Sequence, residues 1–373
     1  MSEQNDAPGV DDEGTDTSAP AADPDASRHR RERKRRKRAG LIVLLSCLCL
    51  VLVAGVAAGG YVWYLFHSFD TKTTKVENAF PKEATRPKAV TNAEGKAAYN
   101  LLLVGSDSRT ASSAVAEEGG ASDQRSDTMM LVHIPADRSN VYVISIMRDT
   151  WVDIPGHGQA KINAAFAYGG TPLMVQTVES VLHQRIDHVA FVNFDGFQSL
   201  TDAVGGVDVN IPISFKSTFK EELGFQYTQG PMHLNGEQAM WFVRERHAFP
   251  DGDYQRVRDQ QIFLKALLGK IATPSTLANP VTLAKAVDQF SPYVTIDSTF
   301  TADKIVALAL EVKGIKPSQA VTFTLPTLGT GWSPDGQQSI VILDTAKADS
   351  LSKAMTAGTM AQWVDTNKVR FGN

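Results

Sequence analysis

Five short segments hold the residues best suited to polar chemistry: GSDSR (105–109), QRSDT (124–128), MRDT (147–150), RERH (244–247) and GDYQRVRDQQ (252–261). The first three each place an Asp and an Arg where an apolar run stops, giving Asp107 with Arg109, Asp127 with Arg125, and Arg148 with Asp149. Arg244 and Arg246 are two residues apart, so a helix would turn them about 200° from each other, whereas extended chain puts them on one face. Arg256 and Gln260 are four apart inside a helical pattern and lie one above the other. Asp253, just ahead of that pattern, is a plausible N-cap. If these segments converge on Arg148, four arginines surround one spot and need an anion to balance them. Guanidinium groups suit phosphate, because their planar fork makes paired hydrogen bonds and stays charged. Asp107 and Asp127 would repel a phosphate unless a cation sits between them. Mg²⁺, with Mn²⁺ as the alternative, takes one or two carboxylates together with phosphate oxygens. The pattern therefore reads as a metal-diphosphate site, in which Asp127 or Asp149 could accept a proton and nothing in the sequence chooses between them.

Each motif taken alone has a plainer reading. An Arg-Asp pair in a loop is usually a solvated ion pair, and SD pairs make good turns. RERH after a helix is usually a wet face. His157, His183, His188 and His247 have no metal-ligand spacing and read as surface or hydrogen-bonded histidines. Phe166, Tyr168, Trp241 and Phe242 read as core. It is the combination that carries the argument. Neither a P-loop G-x-x-x-x-G-K-[ST] nor a G-x-S-x-G elbow, H-E-x-x-H or S-x-x-K with its partner motifs is present.

The elements that must position these groups follow from the apolar pattern. YNLLLVG (99–105) reads as a buried strand opening into a loop, and further strands are expected at 128–134, 141–147, 188–193, 207–211 and 321–325. They run apolar, as strands covered on both faces do. Helical patterns lie between them: INAAFAYGG followed by TPLMVQTVESVLHQ, then FDGFQSLTDAVGG with its glycine stop, then LNGEQAMWFV ending near Val243, and a long helix over 253–271. Strands alternating with helices predict an α/β fold, a three-layer αβα sandwich around a central mixed, mostly parallel sheet. Continuity over 97–345 argues for one domain, with 346–373 as a C-terminal helix or tail. The loop 110–124 has the composition of a lid or a disordered insertion.

The chain of 373 residues carries 37 Lys and Arg against 41 Asp and Glu, a formal charge of −4. That sum hides a split at the N-terminus: eight acids and no Lys or Arg in residues 1–27, then nine bases and one acid in 28–38. The mildly acidic body has no general attraction for nucleic acid, so anion binding must be local. Residues 1–38 read as a disordered tail with a basic run. Residues 39–66 carry no formal charge and read as one transmembrane helix, since about 20 apolar residues span a bilayer. The preceding bases predict a cytoplasmic N-terminus and an extracytoplasmic body, with Tyr61, Trp63 and Tyr64 in the outer interfacial belt. The competing reading is a signal peptide cleaved near Val56-Ala57-Ala58. Residues 67–96 read as a polar linker. Cys47 and Cys49 sit in the apolar run and point to nearly opposite sides of a helix, which leaves no disulfide and no thiol chemistry in the body.

The strings NLLLVGSDSR (100–109), RSDTMMLVHI (125–134), VISIMRDTWVDIPGHGQAKINAAFAYGG (143–170), VNFDGFQSLTDAVGGVDVNI (192–211) and LNGEQAMWFVRERH with GDYQRVRDQQIFLKAL (234–267) together resemble the LytR-CpsA-Psr family of bacterial cell-envelope proteins. The resemblance implies a Mg²⁺-dependent phosphotransferase. It would move a glycopolymer or its linkage unit from a polyprenyl diphosphate carrier to an envelope acceptor, peptidoglycan or a surface protein. On that pattern Asp107 and Asp127 match metal ligands; Arg148, Arg244, Arg246, Arg256 and Gln260 match diphosphate-binding positions; and Arg109 is similar to a further arginine near the phosphates. The family's lipid lies in an apolar tunnel beneath the sheet. Two departures stand beside inferred ligands: Glu245 replaces a frequent aromatic between the paired arginines, and Met147 replaces a common Pro. The rival readings are a polyprenyl diphosphate pyrophosphatase and a non-catalytic glycan- or lipid-binding or regulatory protein.

Overall fold

The computed structural model describes residues 49–92, 94–106 and 126–369. The chain divides into two compact units, residues 1–62 and 63–373. Helix α1 (Cys49–Lys72) is long and apolar enough to cross a membrane, judged by length and composition. It is followed by β1 (Thr74–Val76), β2 (Tyr99–Ser106), β3 (Ser126–Ile134), β4 (Tyr142–Ile146), β5 (Thr150–Ile154) and β6 (Gly158–Lys161). Next come α2 (Ala164–Leu182), β7 (His188–Asn193), α3 (Phe194–Ala203), β8 (Val207–Ile211), β9 (Phe215–Lys216), β10 (Gln226–Tyr227), β11 (Gly230–Leu234) and α4 (Gly236–Arg244). The remainder is α5 (Asp253–Ile271), α6 (Pro274–Leu277), α7 (Pro280–Phe290), β12 (Val294–Asp297), α8 (Ala302–Glu311), β13 (Val321–Thr324), β14 (Thr327–Trp332), β15 (Ser339–Leu343), α9 (Thr345–Ala357) and α10 (Met360–Asn367).

Among the described residues the main sheet has seven strands in the order β1-β12-β7-β2-β3-β4-β13. It is mixed, as expected, but parallel pairs make up half of it rather than most. β1/β12, β2/β7 and β4/β13 are parallel, whereas β7/β12, β2/β3 and β3/β4 are antiparallel. The connection from Ile134 to Tyr142 is too short for a crossover, so β3 and β4 must run opposite ways. The sheet is sandwiched. On one face Leu102, Val104, Met129, Leu131 and Ile144 pack with Met174, Val178 and Leu182 of α2 and with Leu351, Met355 and Trp363 of α9 and α10. On the other face Leu101, Leu103 and Ala190 meet Val294, Ile296, Phe300 and Phe290. Because both faces are covered, residues 101–104 of β2 are all apolar, which explains the unbroken run in the sequence.

Among the described residues three smaller sheets flank this core: β8/β11, β9/β10 and the four-stranded β14-β15-β5-β6. β8 is thus a strand where the sequence expects one, but it lies outside the main sheet. Its Asp208 and Asn210 alternate with buried valines, the signature of a strand with one wet face. The glycine pair inside the first helical pattern leaves a mark in α2. Gly170 sits at φ 63°, ψ −157°, a conformation open to glycine, and the chain kinks there before Pro172 restarts the helix.

Candidate functional site

A cavity of about 440 Å³ lies between the main sheet and α5. Its apolar walls come from Leu103, Met130 and Val192 of the sheet, Phe194, Phe197 and Leu200 of α3, and Phe263, Leu264, Leu267, Leu268 and Ile271 of α5, with Phe290 at the end of α7. Arg148, Arg244, Arg246, Arg256 and Gln260 line the same cavity. The structure therefore brings together five of the polar residues that the sequence placed on separate segments.

Each is positioned by a local feature. Arg148 follows β4 at a turn closed by Thr150, whose amide and hydroxyl both donate to the Met147 carbonyl, at 3.0 and 2.6 Å. Arg244 is the last residue of α4, where a cation complements the helix dipole. That helix begins at an Asn235–Gln238 capping box, and its Gly236 passes so close to α3 that a Cβ there would lie 2.5 Å from the Gln198 carbonyl oxygen. The Arg244 guanidinium is stacked among three rings, 4.2 Å from the Phe194 centroid, 5.2 Å from Trp241 and 5.4 Å from Phe219. Such stacking holds the planar group in place. The chain turns extended at Glu245, so Arg244 and Arg246 share the cavity, as the two-residue spacing requires.

Asp253 ties the cluster. Its carboxylate lies 3.6 Å from Arg148, 3.5 Å from Arg246 and 3.1 Å from Arg256. Gly252 occupies the N-cap position of α5, and Asp253 is the first helical residue. The expectation of an N-cap at Asp253 is therefore one residue off, and the carboxylate spends itself on guanidinium groups rather than on the helix amides. The spacing to Arg256 was the available signal, and capping logic hid it. Arg256 is buried on α5. Gln260 donates its amide to the Val243 carbonyl at 3.1 Å, linking α5 to α4 as well as lining the cavity.

Glu245 is fully buried and has no aromatic role. Its carboxylate accepts from the Thr218 amide and hydroxyl, both at 2.8 Å, and from the amides of Arg246 and His247, both at 2.9 Å, and Ala248 at 3.3 Å. That cradle fixes the turn carrying both arginines, a function invisible until Thr218 is seen beside it. Asp149 lies 3.3 Å from Lys161 and 3.7 Å from Arg148. Burial pushes the Asp259 carboxyl of α5 up to about 7, against a hydrogen bond from Gln255 and the charge of Arg258.

Asp107, Arg109 and the loop 110–124 lie outside the described residues. The backbone of Asp127 belongs to β3, at a register shift opposite Gly105 and Ser106 and beside Thr128 of the cavity wall. Among the described residues no three His, Cys, Asp or Glu side chains gather to hold a metal. Asp149 and Asp253 are each engaged by cationic side chains.

Residues 63–357 match the LytR_cpsA_psr family. The chain belongs to the LytR-CpsA-Psr family. Within it, the protein is 31% identical over 285 residues to the polyisoprenyl-teichoic acid–peptidoglycan teichoic acid transferase TagU of Enterococcus faecalis, covering 76% of this chain and 85% of that one. It is 32% identical over 310 residues to a Corynebacterium glutamicum protein named "Probable cell wall biosynthesis protein LcpB", covering 81% of this chain and 70% of that one. The crystal structure of TagV from B. subtilis superposes with a TM-score of 0.57 at 26% identity, over 70% of this chain and 97% of TagV. A structure of TagT bound to LIIa-WTA shares the LytR-CpsA-Psr fold, with a TM-score of 0.57 at 24% identity over 76% of this chain and 98% of TagT.

Proposed function

We propose that this protein is a membrane-anchored phosphotransferase that moves a glycopolymer, or its linkage unit, from a polyprenyl diphosphate carrier to an envelope acceptor, peptidoglycan in the first instance. The observation that carries the reading is the shape of one cavity, with arginines at one end and aliphatic and aromatic walls along the rest. A ligand complementary to both parts has a multiply charged anionic head and a long apolar tail, which describes a prenyl diphosphate. The family and the name of the E. faecalis relative support the choice of reaction.

In this reading the diphosphate head displaces Asp253 from its guanidinium partners and takes their hydrogen bonds. Arg148, Arg246 and Arg256 then neutralise the charge that accumulates as the acceptor hydroxyl attacks the sugar-proximal phosphorus. The phosphorus–oxygen bond to the carrier breaks, and polyprenyl phosphate leaves. Positioning and electrostatics supply most of the rate, because the phosphoryl group needs little covalent help. Arg244, already held by its rings, loses little freedom on binding. Asp107 and Asp127 are the residues that would hold Mg²⁺, or Mn²⁺, which would supply positive charge against the diphosphate. The acceptor proton goes to Asp127 or Asp149. We assign the tail to the cytoplasm and the catalytic body to the outside from the bases before α1.

The test uses the purified full chain in vesicles with a polyprenyl diphosphate-linked glycan and a peptidoglycan oligomer. Acceptor-dependent release of polyprenyl phosphate is expected. Arg148→Ala and Arg244→Ala should each lower it about 100-fold or more, the scale of losing one charge-stabilising donor, with the melting temperature held. Release that ignores the acceptor would convert the assignment to a pyrophosphatase, and full transfer by either variant would overturn the site.

A further inference from the structure

The C-terminal part of α1 is built into the body. Phe69 packs with Ile296, Phe300 and Phe290, and the Asp70 carboxylate accepts from the Ala302 amide that opens α8, at 3.2 Å. Three α1 side chains converge on one carboxylate of α7. The Tyr64 and Ser68 hydroxyls donate to Asp288, both at 2.5 Å, and the Lys72 ammonium lies 2.7 Å from it. Those contacts hold the Asp288 carboxyl at about 2, well below the usual carboxylate range, first through Lys72 and then through the two hydroxyls. Two residues later, Phe290 lines the apolar end of the cavity with Leu268 and Ile271. The cavity thus runs from the arginines to the place where the anchor helix grips the body.

Tyr64 lies with Trp63 at the end of the apolar run, where aromatic side chains favour the headgroup layer. A hydroxyl at that level bonded to Asp288 sets α7 at the same level. Apolar side chains are exposed on the neighbouring elements: Leu277 of α6 is 53% exposed and Val281 at the start of α7 62% exposed, and Leu268 at the cavity end is also exposed. Among the described residues nothing covers them.

We propose that α6 and the first turn of α7 form a lipid-contacting surface, seated in the outer leaflet by the grip of Tyr64, Ser68 and Lys72 on Asp288. That seat turns the apolar end of the cavity toward the bilayer, so a prenyl tail passes from lipid into protein without crossing water. The part concerning the tail rests on the transfer reading above; the part concerning the bilayer rests only on α1 as a span. Insertion of a few aliphatic side chains is the interfacial mode of binding, with the energy of burying their apolar area.

Two measurements on the full chain in phosphatidylcholine–phosphatidylglycerol vesicles test it. A fluorophore attached at Leu277→Cys, in a Cys47→Ser, Cys49→Ser background, should be quenched by brominated lipid and shielded from iodide. The same label at Asp349→Cys, on α9, should show the reverse. If the two labels behave alike, the surface is not seated and the proposal fails. Asp288→Asn should lower transfer from a long membrane-borne carrier about 10-fold, while leaving transfer from a short-chain, water-soluble carrier within about twofold. Equal loss on both carriers would make Asp288 a general structural residue and overturn its role. If the unaltered protein transfers from neither carrier, it is the transfer reading that fails, and the label alone judges the lipid surface.

Discussion

The two faces of the main sheet are made by the same strands and do opposite things. Leu102, Val104, Met129 and Leu131 point into a filled layer under α2, α9 and α10. Their immediate neighbours Leu103, Thr128 and Met130 point the other way, into a cavity of about 440 Å³. One face spends apolar surface on packing, and the other keeps it unspent for a ligand. The lesson is that an apolar strand residue names a solvent preference and not a partner, since protein and prenyl chain satisfy it equally.

The contrast is open to direct attack. Leu131→Ala, at a site with no exposure, should cost about 4 kcal/mol in chemical unfolding, the usual scale for a truncated core leucine. Leu264→Ala on the cavity wall should cost under about 1.5 kcal/mol, because the space it would leave already exists, and should shift preference toward bulkier prenyl chains. Equal costs would show that the cavity face is packed like the other. Glu245→Ala removes the acceptor for several buried donors and should cost about 3 kcal/mol. It should also depress transfer more than its effect on folding explains, as the turn bearing Arg244 and Arg246 loosens; a stability loss with unchanged transfer would refute the cradle's role.

A pH-dependent effect concerns the α5 wall itself. Asp259 keeps its proton to about pH 7 in the folded chain, against about 4 for an unfolded aspartate. Between those values the folded state binds the extra proton, so this group's contribution is present in acid and lost as pH rises through the window. Asp259→Asn should therefore gain on the unaltered protein across that range, reaching about 4 kcal/mol above neutrality. A flat difference in melting temperature between acid and neutral pH would show that Asp259 is solvated.

Much of this was legible beforehand, and the reasons are specific. Strands 188–193 and 207–211 and the helix 253–271 coincide with β7, β8 and α5, because their apolar runs have sharp polar ends. The pairing of Arg244 with Arg246 was legible because a two-residue spacing selects extended chain. Sheet direction was less so, as β3 and β4 carry no mark of orientation beyond the shortness of their connection. The Asp253 hub was hidden because a carboxylate before a helix has a simpler explanation, and the Glu245 cradle because its chief partner, Thr218, is 27 residues away. A cavity leaves no trace in a one-dimensional pattern at all.

Asp253 has one more consequence. By resting three guanidinium groups against an internal carboxylate, the chain sets a threshold that any incoming anion must exceed. Chloride, acetate and other singly charged species gain too little to dislodge it, whereas a doubly anchored head with several oxygens replaces every contact it breaks. Discrimination against small ions is thus set before any sugar is recognised.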